Sequence, residues 1–375
     1  MNMKKKAVAA GHICIDITPV FGDKKFRKLE EVLIPGKVIQ TQGVNIHTGG
    51  AVANTGLAMK QMGIDVSLMG KVGNDEFGSL ILKYLAEYDA DAGVIIAEDS
   101  ETSYSVVLSV PGIDRLFLHN PGANDTFSFH DLDYSVIEAA TLFHFGYPTI
   151  MKRMYQDEGD EFLRILKKVK ELGTAVSLDM AAIDPAAEAA DADWEKILEK
   201  ALPDVDFFVP SVEELCFMLD RERYEAWVQK ADGGDVADIL SIEDIKLLGE
   251  KVMGMGAKVV LIKCGALGMY YRTGSKEQMS GLCDILNLSV ETWAGKEGFE
   301  ASYEPEAVVS GTGAGDVSIA AFLAAVLQEE PLEDAVHLAA AAGACCVASH
   351  DALSGLKSLA ELKDKIAGGW AKRMG

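Results

Sequence analysis

The stretch VVSGTGAGDVSIAAFLAAVL, Val308–Leu327, places three glycines within five residues and then an aspartate ahead of an apolar run. The apolar side chains recur at helical spacing, so the pattern predicts a buried helix that begins near Gly313 and carries Asp316 in its first turn. A helix N-terminus presents unpaired N–H groups and the positive end of the helix dipole, and glycine lets the backbone approach a bound anion closely. The stretch therefore predicts a phosphate site at this helix end.

An aspartate in a first helical turn also has a purely structural interpretation. Its carboxylate can cap the free N–H groups or complement the positive end of the dipole. The stretch alone leaves open whether Asp316 is a capping residue or takes part in chemistry at the phosphate site. Evidence from the rest of the chain is needed to distinguish these two roles.

The bulk composition is that of a globular protein. The chain has 375 residues, of which 49% are apolar, enough for one large α/β domain or two smaller ones. Lys and Arg number 35 against 58 Asp and Glu, a formal net charge of −23 at pH 7, and we find no basic block beyond Lys4–Lys6. We expect no nucleic-acid partner, because a phosphate backbone is bound by clustered basic residues. No stretch approaches the ~20 apolar residues of a membrane span, so we expect no membrane association.

The cysteines and the N-terminal residues both fit a cytoplasmic protein. The six cysteines are scattered, without a C-x-x-C pair, which argues against a zinc site and a disulfide framework. The opening MNMKKKAVAAGHICIDI has the basic start and apolar residues of a signal peptide, but His12 and Asp16 interrupt the apolar run. We interpret this segment as a first buried strand.

The order of predicted elements indicates an α/β fold. From Gly49 onward, helical and strand-like segments alternate, which is typical of a mostly parallel sheet covered by helices on both faces. Residues 17–48 and 101–129 break this rhythm with β-branched residues and turns, and we expect them to form a small β lid inserted in a single domain spanning 1–375. Residues 275–306 are rich in Gly and Glu and are interpreted as a loop, and a last pair of helices is expected from Leu332.

The common phosphate-binding motifs are missing. No G-x-x-x-x-G-K-[ST] loop occurs, and GTGAGD closes its glycines one residue too early for a dinucleotide G-x-G-x-x-G. These absences narrow the ways in which the chain could handle phosphate.

Two segments together resemble a known family. TGGAVANTGLAMKQMG, residues 48–63, and the stretch that begins at Val308 look like the two signatures of the ribokinase-like (PfkB-type) carbohydrate kinase family, in the right order. GKVGNDEFG, PSVEEL and KCGALG also fit, and the resemblance runs from about Ala7 to the C-terminus. It implies a ribokinase-like fold, with a mostly parallel central sheet, helices on both faces and a small β-sheet lid. It also implies ATP-dependent phosphorylation of a hydroxyl of a sugar or sugar acid.

The resemblance assigns the chemistry of the opening stretch. Asp316 would be the general base that takes a proton from the sugar hydroxyl. The amides of Gly313, Ala314 and Gly315 would stabilise charge on the transferring γ-phosphoryl group. One helix end would then both bind phosphate and place the base beside the attacking oxygen.

The sugar site would lie in the N-terminal part of the chain. Asp16 matches the family's sugar-hydroxyl binder, with a strand-end turn residue as the alternative. Gly49 and Gly50 would admit the sugar, and the amide of Asn54 can both donate and accept hydrogen bonds, although alone it would more often be a helix cap.

Polar residues of the second lid segment are candidates for substrate specificity. Arg115, His119, Asn120 and Asn124 cluster beside turns, which suits the recognition of hydroxyl groups. The alternative is that they only stabilise the hairpin.

The nucleotide and metal sites follow from the central and C-terminal motifs. Lys263, Gly265 and Gly268 lie on the strand and turn that resemble the nucleotide site, and Gly343 would flank the adenine. Glu214 would help to hold Mg²⁺ through water, unless it is a solvated helix carboxylate.

Some residues depart from the family pattern. The family's Asn-x-x-Glu has Ser211 in place of the asparagine. Ser310-Gly311-Thr312 lacks a carboxylate associated with the monovalent-cation loop, which makes potassium activation doubtful. Ala51 replaces a lysine of ribokinase, and His144–Pro148 stands where ribokinase supplies a sugar-binding glutamate, so ribose is not favoured.

Two other functions stay open at this stage. The same scaffold phosphorylates nucleosides and small alcohols, which an aromatic-lined acceptor pocket would favour. A catalytically inactive sugar or nucleotide sensor is kept open by Ser211 alone, since the complete GAGD stretch argues against it. Because lids of this family often pair between subunits, we also expect a homodimer.

Overall fold

The computed structural model describes residues 5–113, 115–231 and 236–373. Lys4 of the basic block and Asp114 of the second predicted lid segment therefore lie outside the described residues. The strands, numbered in chain order, are β1 Lys6–Gly11, β2 Cys14–Val20, β3 Gly43–Gly49, β4 Asp65–Gly73, β5 Val94–Ala97, β6 Tyr104–Leu108, β7 Leu116–Asn120, β8 Leu142–Gly146, β9 Ala175–Asp179, β10 Phe207–Phe208, β11 Val259–Lys263, β12 Gly268–Thr273 and β13 Glu297–Ala301.

The helices follow the alternation that the sequence predicts. They are α1 Gly50–Gln61, α2 Glu76–Ala86, α3 Tyr134–Glu138, α4 Lys152–Tyr155, α5 Asp160–Glu171, α6 Trp194–Ala201, α7 Val212–Leu219, α8 Arg221–Ala231, α9 Ile242–Gly254, α10 Lys276–Leu286, α11 Val290–Trp293, α12 Ala314–Leu327, α13 Leu332–Cys346 and α14 Leu359–Ala367.

The central sheet has nine strands in the order β13-β12-β11-β10-β9-β8-β1-β4-β5. All neighbours from β11 to β5 run parallel, and β12 and β13 add an antiparallel edge. Apolar residues on both sides of each strand explain why helices cover both faces. In β11, for example, Val259 and Leu261 belong to the apolar cluster that includes residues of α1, α10, α12 and α13, whereas Val260 and Ile262 belong to the cluster that includes residues of α5, α6, α7 and α9. The predicted α/β class and layer order are confirmed.

The smaller sheet has four strands in the order β3-β2-β6-β7. Its cross-strand register sorts residues into two rows, because successive side chains of a strand point to opposite faces. One row is polar and the other is apolar. The polar row is His47, Asp16, Ser105 and His119, and the apolar row is Ile46, Ile17, Val106 and Leu118. Both predicted lid segments thus contribute strands to one sheet, although most of residues 21–42 forms no strand.

The first predicted strand is in fact two. β1 ends at Gly11, whose φ of 117° only glycine adopts readily, and β2 starts at Cys14 in the smaller sheet. A Cβ on Gly11 would also lie 2.4 Å from the carbonyl oxygen of Gly146 in β8. The interpretation of the opening segment as one buried strand is therefore wrong, and Asp16 lies inside β2 and not at the end of the first strand.

The interpretation of 275–306 as a loop is also wrong. This segment contains α10, α11 and β13. Helix α10 begins with a capping box in which Ser275 and Gln278 bond each other's backbone N–H groups. Its buried side chains Met279, Leu282, Cys283 and Leu286 repeat at helical spacing, a signal present in the sequence.

Helix α12 begins at Ala314, as predicted, and all its residues from Asp316 to Leu327 are buried. It packs between α1 and α13. The close contact with α13 depends on Gly343, because a Cβ there would lie 2.4 Å from the hydroxyl oxygen of Ser318. In the part of the chain that the structure describes, no helix is both long enough and apolar enough to cross a membrane.

Candidate active site

The functional candidates converge at the carboxyl edge of the parallel strands. Tyr147 follows β8, Asp179 ends β9 and Lys263 ends β11, while α12 directs its N-terminus toward the same edge. A cleft of about 590 Å³ opens there. It is lined by Gly311 and Gly313 of the glycine loop before α12, here called the anion loop, by Ala314–Asp316 in the first turn of α12, and by Arg115, which directly precedes β7. Open α/β sheets bind their ligands at such an edge.

Asp316 lies at the floor of the cleft and is 4% exposed. The hydroxyl of Tyr147 donates to its Oδ1 at 2.6 Å, and Nδ2 of Asn54 donates to its Oδ2 at 2.9 Å. Burial raises the pKa of Asp316, and the hydrogen bonds from Tyr147 and Asn54 and the charge of Lys263 oppose this rise. Oγ1 of Thr55 also donates to Oδ1 at 3.4 Å, so donors from two separate parts of the chain hold the carboxylate in one orientation.

Tyr147 was not predicted as a site residue. Its backbone is left-handed, with φ of 69°, which turns the side chain from the end of β8 back over the strand edge. The signal in the sequence was an aromatic residue between Gly146 and Pro148 directly after a buried strand. Asn54 was predicted to bind the sugar, and in the structure its amide nitrogen donates to Asp316.

The loop before α12 has the geometry of an anion site. Gly313 is left-handed, with φ of 75°, and a Cβ there would lie 2.4 Å from Cβ of Ala352, so the position requires glycine. The amide of Ala314 donates to the carbonyl of Gly311 at 3.2 Å. This long hydrogen bond would have to break before the N–H of Ala314 could bind a phosphoryl group. The N–H of Gly315 has no backbone acceptor among the described residues and needs no such change.

Arg115 reaches this loop from the start of β7. Its Nη1 donates to Oγ1 of Thr312 at 3.4 Å, and a Cβ on Gly311 would lie 3.1 Å from the guanidinium. Arg115 was predicted to contact the sugar, and the structure places its guanidinium against the anion loop.

A second basic side chain, that of Lys263, lies beneath the same loop. Nζ of Lys263 contacts Oδ1 of Asp179 at 2.6 Å, and the two side chains are 13% and 1% exposed. A Cβ on Gly315 would lie 3.5 Å from Cδ of Lys263. Burial raises the pKa of Asp179, against the attraction of Lys263, and its Oδ2 has no hydrogen-bond partner among the described residues. Asp179 was not predicted, although an aspartate that ends a buried strand was a readable signal.

The first signature's glycines make room for two side chains. A Cβ on Gly49 would lie 2.4 Å from the carboxylate of Asp16, and a Cβ on Gly50, whose φ is 82°, would lie 2.6 Å from Nδ1 of His12. Burial raises the pKa of Asp16 to about 6. The absence of a side chain at Gly49 and Gly50 therefore leaves the space that Asp16 and His12 occupy.

A hydrogen-bond chain continues from Asp16 along the polar row. Ser105 donates to the carboxylate of Asp16, since a carboxylate only accepts, and so its oxygen accepts from Nδ1 of His119 at 3.0 Å. Nε2 of His119 is then an acceptor for Nε2–H of His12 at 3.3 Å. Burial lowers the pKa of His119 to about 4 and that of His12 well below its usual value, so both rings are neutral. His119 was predicted as a specificity candidate, but its contact with His12 was not predicted, because only the tertiary structure brings the two rings together.

Asn120 has a local role in the structure. Its Oδ1 accepts from the N–H of Gly122 at 3.2 Å, which closes the turn after β7. This contact fits the alternative that Asn120 stabilises the hairpin.

Glu214 lines the cleft but is tied to its own helix. Its Oε2 accepts from the N–H of Ser211 at 2.7 Å, and the hydroxyl of Ser211 accepts from the N–H of Glu214 at 3.2 Å. Within the described ranges, no group of three or more His, Cys, Asp or Glu is arranged to hold a metal. The site fits Mg²⁺ only as nucleotide sites hold it, by one or two carboxylates together with phosphates and water.

The predicted nucleotide residues Lys263, Gly265, Gly268 and Gly343 all line the cleft. Two of the glycines also have packing roles. Gly343 fits against α12, and a Cβ on Gly268, whose φ is 126°, would lie 2.0 Å from the carbonyl oxygen of Glu300 in β13.

Comparison with known proteins finds sugar kinases among the similar sequences and a ribokinase among the similar structures. Over 300 residues the chain is 24% identical to an uncharacterized sugar kinase of Archaeoglobus fulgidus, which covers 80% of this chain and 98% of that protein. It is 24% identical over 329 residues to fructokinase-2 of Zea mays, with 85% of each protein covered. Its fold matches the structure of a putative ribokinase II of E. coli in complex with ATP and Mg²⁺, with a TM-score of 0.69, 21% identity, and coverage of 97% of this chain and 99% of that one.

The sequence model of the pfkB family carbohydrate kinase matches residues 4–359. This match includes both signatures, every strand of the two sheets and the whole anion loop. The chain therefore belongs to the pfkB family of carbohydrate kinases, which are phosphotransferases with an alcohol group as acceptor.

Proposed function

We propose that the protein transfers the γ-phosphoryl group of ATP to a hydroxyl of a sugar or sugar acid, with Asp316 as the general base. The observation that carries this proposal is the position of Asp316. A buried carboxylate, oriented by Tyr147 and Asn54, lies in the first turn of the helix whose glycine loop forms the anion site. This arrangement supplies deprotonation and phosphate binding at one point.

The proton balance of the step is simple. The acceptor hydroxyl gives its proton to a carboxylate oxygen of Asp316 as its oxygen attacks the γ-phosphorus, and the bond to the β-phosphate oxygen breaks to release ADP. A base works best when its pKa approaches the working pH, and burial raises the pKa of Asp316 in that direction.

Charge on the transferring group would be stabilised from three sides. The helix dipole and the amide of Gly315 act from α12, Arg115 acts from the smaller sheet, and Lys263 acts from below the loop. The groups of α12 and Lys263 belong to the central part of the fold and are in place before the substrates bind, so they need little reorganisation in the transition state.

Glu214 would hold Mg²⁺ through water. The metal would neutralise the charge on the ATP phosphates. The structure of the putative ribokinase II with ATP and Mg²⁺ supports this part of the proposal by analogy of fold.

The side chains linked to Asp16 favour a polyol over a nucleoside as the acceptor. Asp16, His12, Ser105 and His119 are all hydrogen-bonding groups, which suit the hydroxyl groups of a polyol. The name of the Zea mays relative, a fructokinase, agrees with a sugar acceptor. Asp16, Ser105 and His119 belong to the polar face of the smaller sheet, which we propose to act as a lid. Its closure would exclude water, the competing phosphoryl acceptor.

A panel of acceptors tests the proposal. ADP release from Mg·ATP should rise with one class among hexoses, ketoses, pentoses, sugar acids and nucleosides, and we expect a sugar or sugar acid. If a nucleoside gives the best kcat/KM, the acceptor class is wrong. If ATP and a sugar bind but no acceptor raises ADP release, the protein is a sensor and the catalytic proposal fails.

A further inference from the structure

The segment Trp370–Arg373 lies outside residues 4–359, the part that the family match covers, and its last residue, Arg373, lines the cleft. It runs antiparallel to the residues after β13. The N–H of Glu304 donates to the carbonyl of Ala371 at 2.9 Å, and the N–H of Arg373 donates to the carbonyl of Ser302 at 2.8 Å.

Side chains hold this segment in place. The ring of Trp370 stacks on Tyr303 with centroids 4.7 Å apart, and its Nε1 donates to the carbonyl of Glu304 at 2.7 Å. Nζ of Lys372 lies 3.2 Å from the centroid of the Tyr303 ring and also bonds the carboxylate of Glu300. Tyr303, only 2% exposed, is thus covered by two residues of the segment.

The position of the segment identifies the part of the cleft that it borders. The N–H of Ser302 donates to the carbonyl of Leu267 at 3.1 Å, which joins Arg373 through Ser302 to the turn Gly265–Gly268. Ser302, Tyr303 and Arg373 line the cleft on this wall, whereas Arg115 and Lys263 flank the anion loop. The charges at the phosphate end and Arg373 therefore belong to different walls.

We propose that Trp370–Arg373 completes the nucleotide site and that the guanidinium of Arg373 binds the base and ribose half of ATP. This inference rests on the proposed use of ATP. An arginine suits that half because its planar guanidinium stacks on aromatic rings and donates to ribose and ring acceptors. The backbone pairing with Ser302 fixes where the side chain starts, and its exposed end is free to fold over the nucleoside.

The test is calorimetric binding of ATP, ADP, adenosine and tripolyphosphate to the native chain and to Arg373→Ala. We expect about tenfold weaker binding of ATP, ADP and adenosine, in line with the loss of one charged hydrogen bond, and unchanged binding of tripolyphosphate. The KM for ATP should rise by a similar factor, while kcat and the KM for the acceptor stay within about twofold. Arg153→Ala, which removes an exposed arginine of α4 that is not part of the cleft lining, is the matched control.

The outcomes separate this inference from the proposed function. If the native chain binds ATP and Arg373→Ala binds it equally well, the role of Arg373 is wrong and the kinase proposal stands. If tripolyphosphate binding weakens as much as ATP binding, Arg373 contacts the phosphates and the assignment to the nucleoside half is overturned. If the native chain binds no nucleotide, the proposed function fails and this inference fails with it.

Discussion

The hydroxyl of Tyr147 is the shortest contact of the Asp316 carboxylate, at 2.6 Å, and it comes from an element far from α12 in sequence. A hydrogen bond to the ionised form stabilises that form, so this contact both orients the base and limits the rise of its pKa. Residues that act on a base in this way are positioning residues, because they need not touch the substrate.

Tyr147→Phe should therefore affect turnover and its pH dependence together. We expect kcat to fall about tenfold and the acidic limb of the pH–rate profile to move to higher pH, because the ionised form of Asp316 loses a donor. Tyr134→Phe is the matched control, since its hydroxyl is buried without a hydrogen-bond partner among the described residues. A profile of Tyr147→Phe that overlays that of the native chain would contradict the assigned role.

Asp16 gives a separate pH dependence. Burial raises the pKa of its carboxyl group to about 6, so the group is ionised above pH 6 and becomes protonated as the pH falls below it. An ionised carboxylate accepts stronger hydrogen bonds from hydroxyl groups than a neutral acid does. The KM for the acceptor should therefore rise severalfold between pH 7 and pH 5 in the native chain. In Asp16→Asn the KM should be higher at pH 7 but nearly flat over this range, and a pH-dependent KM in that variant would exclude Asp16 as the cause.

At the scale of elements, the contact between α12 and α13 sets the position of the anion loop. Gly343→Ala would bring a Cβ within 2.4 Å of Oγ of Ser318, so the two helices would have to shift or Ser318 would have to rotate. Overpacking of this kind costs about 1–3 kcal/mol of the free energy of unfolding. Adding Ser318→Ala removes the clashing oxygen and should restore most of the loss, which urea unfolding of the single and double variants measures.

Gly281→Ala is the control for this helix experiment. Gly281 lies in α10, and a Cβ there would meet no atom within 4 Å. Alanine should stabilise that helix by roughly 0.5–1 kcal/mol because it reduces the freedom of the unfolded chain. Equal stability changes for Gly343→Ala and Gly281→Ala would show that helix propensity, and not the α12–α13 contact, dominates.

The elements also show which parts of the molecule could be predicted from sequence. Helix α12 and the parallel strands were predictable because their apolar spacing is local. The division between β1 and β2 was not predictable, because strand-like apolar residues resume at Ile13 soon after Gly11, and the break depends on a contact with Gly146 in another strand. Helix α10 was not predicted although its cap and apolar spacing are local. The glycine and glutamate content of residues 275–306 is typical of a loop and outweighed these signals in the prediction.

The candidate site also has parts that could be predicted from sequence and parts that could not. The loop before α12 and the glycine pair 49–50 are contiguous in sequence and were recognisable. The partners of Asp316 and Lys263 come from β8, α1 and β9, and their meeting depends on the strand order β9-β8-β1-β4, which local patterns do not determine.

At the scale of the whole molecule, the two faces of the smaller sheet differ. The polar row turns to the candidate site, and the opposite face leaves Leu116, Leu118 and Val44 38%, 53% and 53% exposed. Exposed apolar faces of this kind are typical of interfaces. We propose that two copies of the chain pair through this face.

Leu118→Asp tests the pairing. The native chain should sediment as a dimer at micromolar concentrations, and the variant should sediment as a monomer because it would bury an unpaired charge in the interface. Leu247→Asp, which changes an exposed leucine (54%) of α9, should leave the dimer intact. A native chain that sediments as a monomer would overturn the proposed pairing but not the proposed activity.

The central claim is that Asp316 removes the proton of the acceptor hydroxyl. The most direct measurement compares turnover of Asp316→Asn with that of the native chain, alongside calorimetric binding of ATP and of the best acceptor to both. Loss of a general base lowers rates by roughly 10²–10⁴-fold, so we predict a fall in kcat of that size, with both dissociation constants within about threefold of the native values. Turnover of Asp316→Asn within tenfold of the native rate, with both substrates bound, would contradict the assignment of Asp316 as the base.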